Sequence, residues 1–91
     1  MNQLEAIKGL ISQGNVEEAI RQLESLIQTG YTPLDAIYYL LGNAWRKTGD
    51  WRQALNNYNL AIELNPQSPA LPARQMAMEI LEFYNKDMYN Q

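Results

Sequence analysis

Apolar residues recur every three or four positions in four consecutive segments of the chain, which places them on one face of an α-helix in each segment. A half-buried strand would instead alternate apolar and polar residues with a period of two. Turn-forming residues separate the segments, at Gly14-Asn15, Gly30, Thr32-Pro33, Gly49-Asp50 and Asn65-Pro66. The pattern therefore predicts helices over residues 3–13, 16–29, 34–47 and 51–64.

The ends of the predicted helices carry residues suited to capping. Asn15, Thr32 and Asp50 each precede a Glu, Asp or Gln by three residues, a spacing at which their side-chain oxygens can accept from an unpaired backbone N–H. Pro33 then occupies the first helical position after Thr32. We expect the helices before Gly14, Gly30 and Gly49 to end on these glycines in the left-handed conformation.

The last part of the chain predicts a fifth helix that begins at residue 69 or 72, because proline is tolerated in a first turn. Its apolar residues fall on one side of a helical wheel: Ala73, Met76, Ala77, Ile80, Leu81, Phe83, Tyr84 and Met88. We expect this whole apolar arc to pack on the fourth helix. Any part left uncovered could pair with a second copy of the chain.

Composition excludes several classes of function. The 91 residues suffice for one domain, and they include neither His, the usual general base at neutral pH, nor Cys. No phosphate-binding loop, zinc pattern or calcium loop occurs, and the net charge of −3 disfavours nucleic acid as a partner. Neither a signal peptide nor a long apolar run is present. We predict a cytoplasmic protein, not an enzyme, with no catalytic residue, metal or cofactor and no membrane partner.

The chain repeats itself at an offset of 35 residues. This offset aligns glycine with glycine and alanine with alanine, and it pairs apolar residues elsewhere: Gly14 with Gly49, Ala19 with Ala54, Leu23 with Tyr58, Leu26 with Ala61 and Ile27 with Ile62. Two helix–turn–helix units therefore share one plan.

The second unit, residues 35–68, carries a set of aromatic, small and turn residues at fixed spacing: Tyr38, Leu41-Gly42, Trp45, Gly49-Asp50, Ala54, Tyr58, Ala61 and Pro66. With these residues at this spacing, the unit resembles the tetratricopeptide repeat. The first unit, residues 1–34, is a divergent repeat, with Ile7 where the family prefers Gly and Leu26 where it prefers Ala. Residues 69–91 fit the capping helix that ends such arrays. The resemblance implies one all-α domain of five helices, whose antiparallel pairs stack as a short right-handed superhelix.

The resemblance also implies a site, because in this family the first helix of each unit lines a concave groove. Carried over by spacing, the candidate peptide-binding residues are Lys8, Tyr39, Asn43, Arg46 and Lys47, with Arg74 closing one end. Four of them belong to the seven basic residues of an acidic chain, so the groove should attract a carboxylate or an acidic segment. Solvated charges without a partner are the plainer interpretation.

Some family members grip the C-terminal carboxylate of a peptide with Asn and with Lys or Arg. Asn43 and Arg74 match two such positions, whereas the others hold Leu4, Lys8 and Ala70, so that only part of such a clamp is present. The core positions of the motif account for Tyr38, Trp45, Trp51 and Tyr58, and Tyr39 is expected to face the groove.

Three functions remain open. The first is a protein-interaction module or adaptor, in its simplest form a monomer, that binds a short acidic or C-terminal peptide of a partner protein. The second is a structural protein that self-associates through its last helix. The third is an RNA-binding repeat of the pentatricopeptide class, against which the Gly49-Asp50, Ala54 and Pro66 pattern and the acidic charge argue.

Overall fold

A computed structural model of the chain describes the backbone of residues 2–89 and the side chains of residues 2–83. Within that range the chain forms five helices and no strand: α1 (Gln3–Ser12), α2 (Val16–Gln28), α3 (Leu34–Thr48), α4 (Trp51–Leu64) and α5 (Ala70–Tyr89). The ends of the first four lie within one residue of the predicted ones, and α5 begins between its two predicted starts. The predicted all-α fold is confirmed.

The helix starts follow the predicted caps in part. The Asp50 carboxylate accepts from the Gln53 backbone N–H at 3.1 Å, as predicted, and Asn2 caps α1 in the same way. The predictions for Asn15 and Thr32 were wrong, because neither side chain caps a helix. Pro33 does not occupy the predicted first helical position either, because its backbone is extended (φ −81°, ψ 135°) and the helix begins at Leu34.

The predicted glycine ends are confirmed. Gly14, Gly30 and Gly49 have φ values of 86°, 80° and 87°, in the left-handed region. A residue with a Cβ is strained there, so each glycine allows the chain to leave one helix and turn back into the next.

Two helix pairs and a fifth helix make up the stack. α1 packs on α2 and α3 packs on α4, α3 also contacts both helices of the first pair, and α5 packs on α4. A core of aliphatic residues joins the first pair to α3: Ile7, Ile11, Val16, Ala19, Ile20, Leu23, Leu26, Ile37, Leu40, Leu41 and Ala44. α3 therefore holds the array together.

A second cluster centres on Tyr58, which is fully buried. Its other buried members are all alanines, two from α4 and two from α5: Ala54, Ala61, Ala70 and Ala77. A Cβ at Gly42 would collide with the Tyr58 ring, so the ring lies directly on the backbone of α3. The aromatic ring therefore occupies space that Gly42 and the buried alanines leave free.

α5 packs on α4 with only part of its apolar arc, so the expectation that the whole arc is covered was wrong. Ala77 is buried, whereas Met76 and Phe83 are 51% and 76% exposed. The arc is wider than the face that one neighbouring helix can cover. The side chains of Tyr84 and Met88, which were predicted to continue it, lie outside the described ones. None of the helices described has the length and apolar character of a membrane span.

Candidate functional site

An open groove of about 500 Å³ lies between α1 and α3. Its walls are Lys8, Ile11 and Ser12 from α1 and Tyr39, Leu40, Asn43, Arg46 and Lys47 from α3. The structure therefore brings together five of the six predicted site residues. The buried Leu40 forms part of the groove as well, which the sequence analysis missed because its spacing is equally suited to the core.

Helical geometry explains why α3 presents these side chains together. Tyr39, Asn43 and Arg46 are separated by four and three residues, so they lie on one face of the helix. The opposite face carries Ile37 and Ala44, which are buried in the core. Core packing thus fixes the rotation of α3 and, with it, the direction of the groove residues.

Asn43 is held in place by the core beneath it. The Tyr58 hydroxyl donates to Asn43 Oδ1 at 2.5 Å, which leaves the amide nitrogen Nδ2 as the atom that can donate to a ligand. The Tyr39 ring packs against that of Tyr58, with centroids 6.3 Å apart and a tilt of 36°. Burial raises the pKa of the Tyr58 hydroxyl, against a smaller opposing effect of Arg46, so the hydroxyl is a proton donor at neutral pH.

The cations of the groove differ in how far their charges are already matched. Lys8 Nζ lies 3.3 Å from Glu5 Oε1, in a pair with both side chains more than half exposed, which is a weak interaction. Among the side chains of residues 2–83, neither Arg46 nor Lys47 forms an ion pair. Both lie in the last turn of α3, where positive charge also stabilises the helix dipole.

Arg74 does not join the other five predicted residues. Its Nη1 donates to Asn59 Oδ1 on α4 at 2.8 Å, and its Nε is buried without a hydrogen-bond partner. The side chain therefore bridges α5 and α4, and it is absent from the walls of the groove.

Two further cavities lie towards α5. One of about 190 Å³ shares Lys8, Tyr39 and Leu40 with the groove and extends to Ser68 and Pro69 at the start of α5. The other, of about 370 Å³, lies on α5, and its walls are Met76, Glu79, Ile80 and Phe83. These apolar residues were predicted to pack on α4. Their spacing of four and three residues was the signal for a separate stripe.

Comparison with known proteins supports this interpretation of the fold. The family model of the tetratricopeptide repeat matches residues 36–68, the part of the chain that forms most of α3 and α4. A Bacteroides fragilis protein with a structure determined by solution NMR is 63% identical, over 100% of this chain and 92% of that one, with a TM-score of 0.89. No curated protein matches the chain.

The motif, the matched residues and the helix stack agree with one another. The Gly42–Tyr58 contact and the small residues around it are the packing that the motif's glycine, aromatic and alanine positions encode. Protein–protein interaction is the general role of such repeats. The chain belongs to the tetratricopeptide repeat family.

Proposed function

We propose that this chain is a protein-interaction module that holds an acidic segment of a partner protein in the groove between α1 and α3. The observation that supports this most is the gathering of Lys8, Arg46 and Lys47 along one groove of a chain with net charge −3. A local positive surface on an acidic protein selects for negative ligands and speeds their association.

Each groove residue has a chemical role in this proposal. Arg46 is half-buried, and its guanidinium can bind a carboxylate through two parallel hydrogen bonds. Lys47 is exposed and supplies a mobile charge at the rim. Asn43 Nδ2 donates to a carboxylate or a backbone carbonyl of the peptide, and the Tyr39 ring supplies an apolar surface.

Helix length sets the size of the ligand. A helix of 15 residues such as α3 is about 22 Å long, enough for roughly six extended residues of a peptide. Such a short segment buries little surface, so we expect dissociation constants of about micromolar order.

Fluorescence anisotropy with a labelled acidic octapeptide tests the proposal directly. The groove variant combines Arg46→Gln with Lys47→Gln, and the control combines Arg21→Gln with Arg52→Gln on the exposed surfaces of α2 and α4. Both change the net charge equally. We expect the groove variant to bind about tenfold more weakly or worse, and the control to bind as the wild type does. Thermal melts of both double variants show whether the loss of positive charge at the end of α3 also destabilises the fold. A loss of binding without a lower melting temperature is then an effect on the groove.

The remaining outcomes discriminate between alternatives. Equally weak peptide binding by both double variants would show that the peptide is attracted by the overall charge and does not bind in the groove. Absence of binding, together with concentration-dependent sedimentation, would favour self-association through α5. An amidated form of the peptide tests whether a C-terminal carboxylate matters, and a labelled RNA of similar charge tests the nucleic-acid alternative.

A further inference from the structure

The cavity on α5 is more apolar than the groove and is open to solvent. Met76, Ile80 and Phe83 form three of its walls, spaced so that they make one stripe along the helix. Met76 is 51% exposed and Phe83 is 76% exposed. Large apolar side chains that remain this exposed in a contiguous stripe are typical of an interaction surface.

Arg46 connects this cavity to the cationic groove. Its Nη1 lies 4.0 Å from Met76 Sδ, while the same side chain forms part of the groove wall. A carboxylate bound to the Arg46 guanidinium would therefore lie beside the entrance to the cavity. The groove and the cavity therefore meet where Arg46 contacts Met76, with cations on α3 and apolar side chains on α5.

We propose that the α5 cavity is a subsite for a large apolar side chain of the same peptide whose carboxylate Arg46 binds. This inference rests on the proposed function and adds to it a class of ligand. The partner segment carries an acidic residue and, close to it, a Leu, Met or Phe.

Backbone geometry sets the spacing between these two residues. In an extended peptide the side chains two residues apart point to the same side, about 6.6 Å from each other. That separation suits two neighbouring subsites that meet at the contact between Arg46 and Met76. The apolar residue is therefore expected two positions before or after the acidic one.

Glu79 determines which way round the peptide is expected to bind. Its carboxylate lies at the wall of the apolar cavity, on the helix opposite Arg46. A second carboxylate of the ligand would be repelled there, so the acidic residue belongs over α3 and a neutral or basic residue belongs next to the apolar one.

A second copy of the chain fits this surface less well than a peptide. Among the side chains of residues 2–83, four line the cavity, whereas a stable interface between folded proteins buries roughly 1,200 Å² or more in total. A twofold contact centred on the stripe would also bring Glu79 towards its own counterpart. A short segment needs less area and can place its carboxylate at Arg46.

The experiment compares three labelled octapeptides of identical charge. Each peptide contains a neighbouring Glu-Asp pair. The first has a Leu two residues before the Glu, the second has a Leu two residues after the Asp, and the third has Ser in place of Leu. The protein variants are Met76→Ser and, as the matched control, Met78→Ser, because Met78 lies on the same helix and is 52% exposed.

We expect one Leu peptide to bind the wild type and Met78→Ser about tenfold more tightly than the Ser peptide, the factor that partial burial of a Leu side chain supplies. In Met76→Ser this preference should fall by most of that factor, while the Ser peptide binds as before.

Three results would overturn the inference. Equal binding of all three peptides to the wild type would remove the apolar subsite, and the proposed function would stand if Arg46→Gln with Lys47→Gln still abolished binding. Absence of binding by any peptide would remove both proposals. A wild type that dimerises in sedimentation equilibrium, with Met76→Ser monomeric, would make a second copy the occupant of the cavity.

Discussion

The two helix pairs solve the same packing problem with different distributions of side-chain volume. At equivalent positions, 35 residues apart, the first pair has Ile7 and Leu23 where the second has Gly42 and Tyr58. Ile7 and Leu23 are 1% and 0% exposed, and Tyr58 is 0% exposed. In the first pair both helices contribute an aliphatic side chain of middle size. In the second, one helix contributes bare backbone and the other a complete aromatic ring.

This difference in the core determines the chemistry of the groove. A buried tyrosine needs a hydrogen-bond partner for its hydroxyl, and Asn43 supplies one from the groove side of α3. Leu23 has no such need, and the position equivalent to Asn43 is Lys8, which is exposed and extends into solvent. The second pair therefore links its core to the groove, whereas the first pair adds a charge that is independent of its core.

Deletion of residues 69–91 is expected to have the largest effect, because α5 completes the core of the second pair. Ala70 and Ala77 are buried in the same cluster as Tyr58, and a pair of repeats without a cap buries too little apolar surface to fold alone. We expect loss of helical circular dichroism and of a cooperative melt. A truncated chain that still unfolds cooperatively would contradict this prediction and would show that α5 is an accessory of the array.

Gly42→Ala destabilises the second helix pair at the position where its packing differs from that of the first pair. The added methyl group collides with the Tyr58 ring, so we expect a loss of about 2 kcal/mol in the free energy of unfolding. Chemical denaturation measures it. Gly9→Ala is the matched control, because Gly9 is also helical and a Cβ there meets nothing within 4 Å. We expect that change to stabilise the protein by about 0.5–1 kcal/mol.

The combination of Gly42→Ile with Tyr58→Leu gives the second helix pair the residues that the first pair has at the equivalent positions, Ile7 and Leu23. If volume exchange explains the comparison, the double variant loses less stability than the sum of its single variants. Strict additivity would show that the surrounding alanines, and not the facing residue, define the space for the ring.

Periodicity and the motif predicted most of the fold, and spacing along α3 predicted most of the groove. Helix rotation follows from which residues are apolar, so Tyr39, Asn43 and Arg46 could be placed on one face from the sequence alone. Arg74 could not be placed in this way, since a long side chain reaches either of two neighbouring helices, and here it contacts Asn59.

The exposure of Met76 could not be predicted either. A helical wheel shows how wide an apolar arc is, but the share that a neighbour covers depends on the angle and distance at which α5 packs on α4. The hydrogen bond between Tyr58 and Asn43 was missed for a similar reason. It joins α4 to α3, whereas periodicity describes the faces of each helix by itself.

Tyr58→Phe sharpens the comparison at the level of one hydroxyl group. Loss of the bond to Asn43 should cost about 1 kcal/mol of stability and weaken binding of the acidic octapeptide, because the Asn43 amide loses its anchor. Burial raises the pKa of this hydroxyl, so the folded state favours the protonated form. Its contribution to stability is therefore complete below a pH of about 10 and declines above that value.

Denaturation at several alkaline pH values measures this decline, which should be smaller in Tyr58→Phe than in the wild type. Tyr38→Phe is the control, because Tyr38 is only partly buried and its hydroxyl forms no hydrogen bond among the described residues. Equal effects of the two substitutions would assign the loss to the aromatic surface in general.

Asn59→Asp is expected to have the smallest effect, and it tests whether Arg74 belongs to the groove or to the core of the second pair. The Arg74 guanidinium already donates to Asn59, and no ion pair is formed by Arg74 among the described side chains. A carboxylate at this position should stabilise the protein by about 0.5 kcal/mol, less at high salt. Asn56→Asp, on the exposed surface of the same helix, makes the same change in net charge and should have no such effect.

Arg74→Gln completes this test by separating stability from binding. If Arg74 only bridges α4 and α5, the substitution lowers the melting temperature and leaves the affinity for the acidic octapeptide unchanged, since the side chain is outside the groove. Weaker peptide binding without a loss of stability would mean that the guanidinium leaves Asn59 when a ligand is bound. That result would restore Arg74 as the sixth groove residue, because its guanidinium would then contact the ligand in place of Asn59.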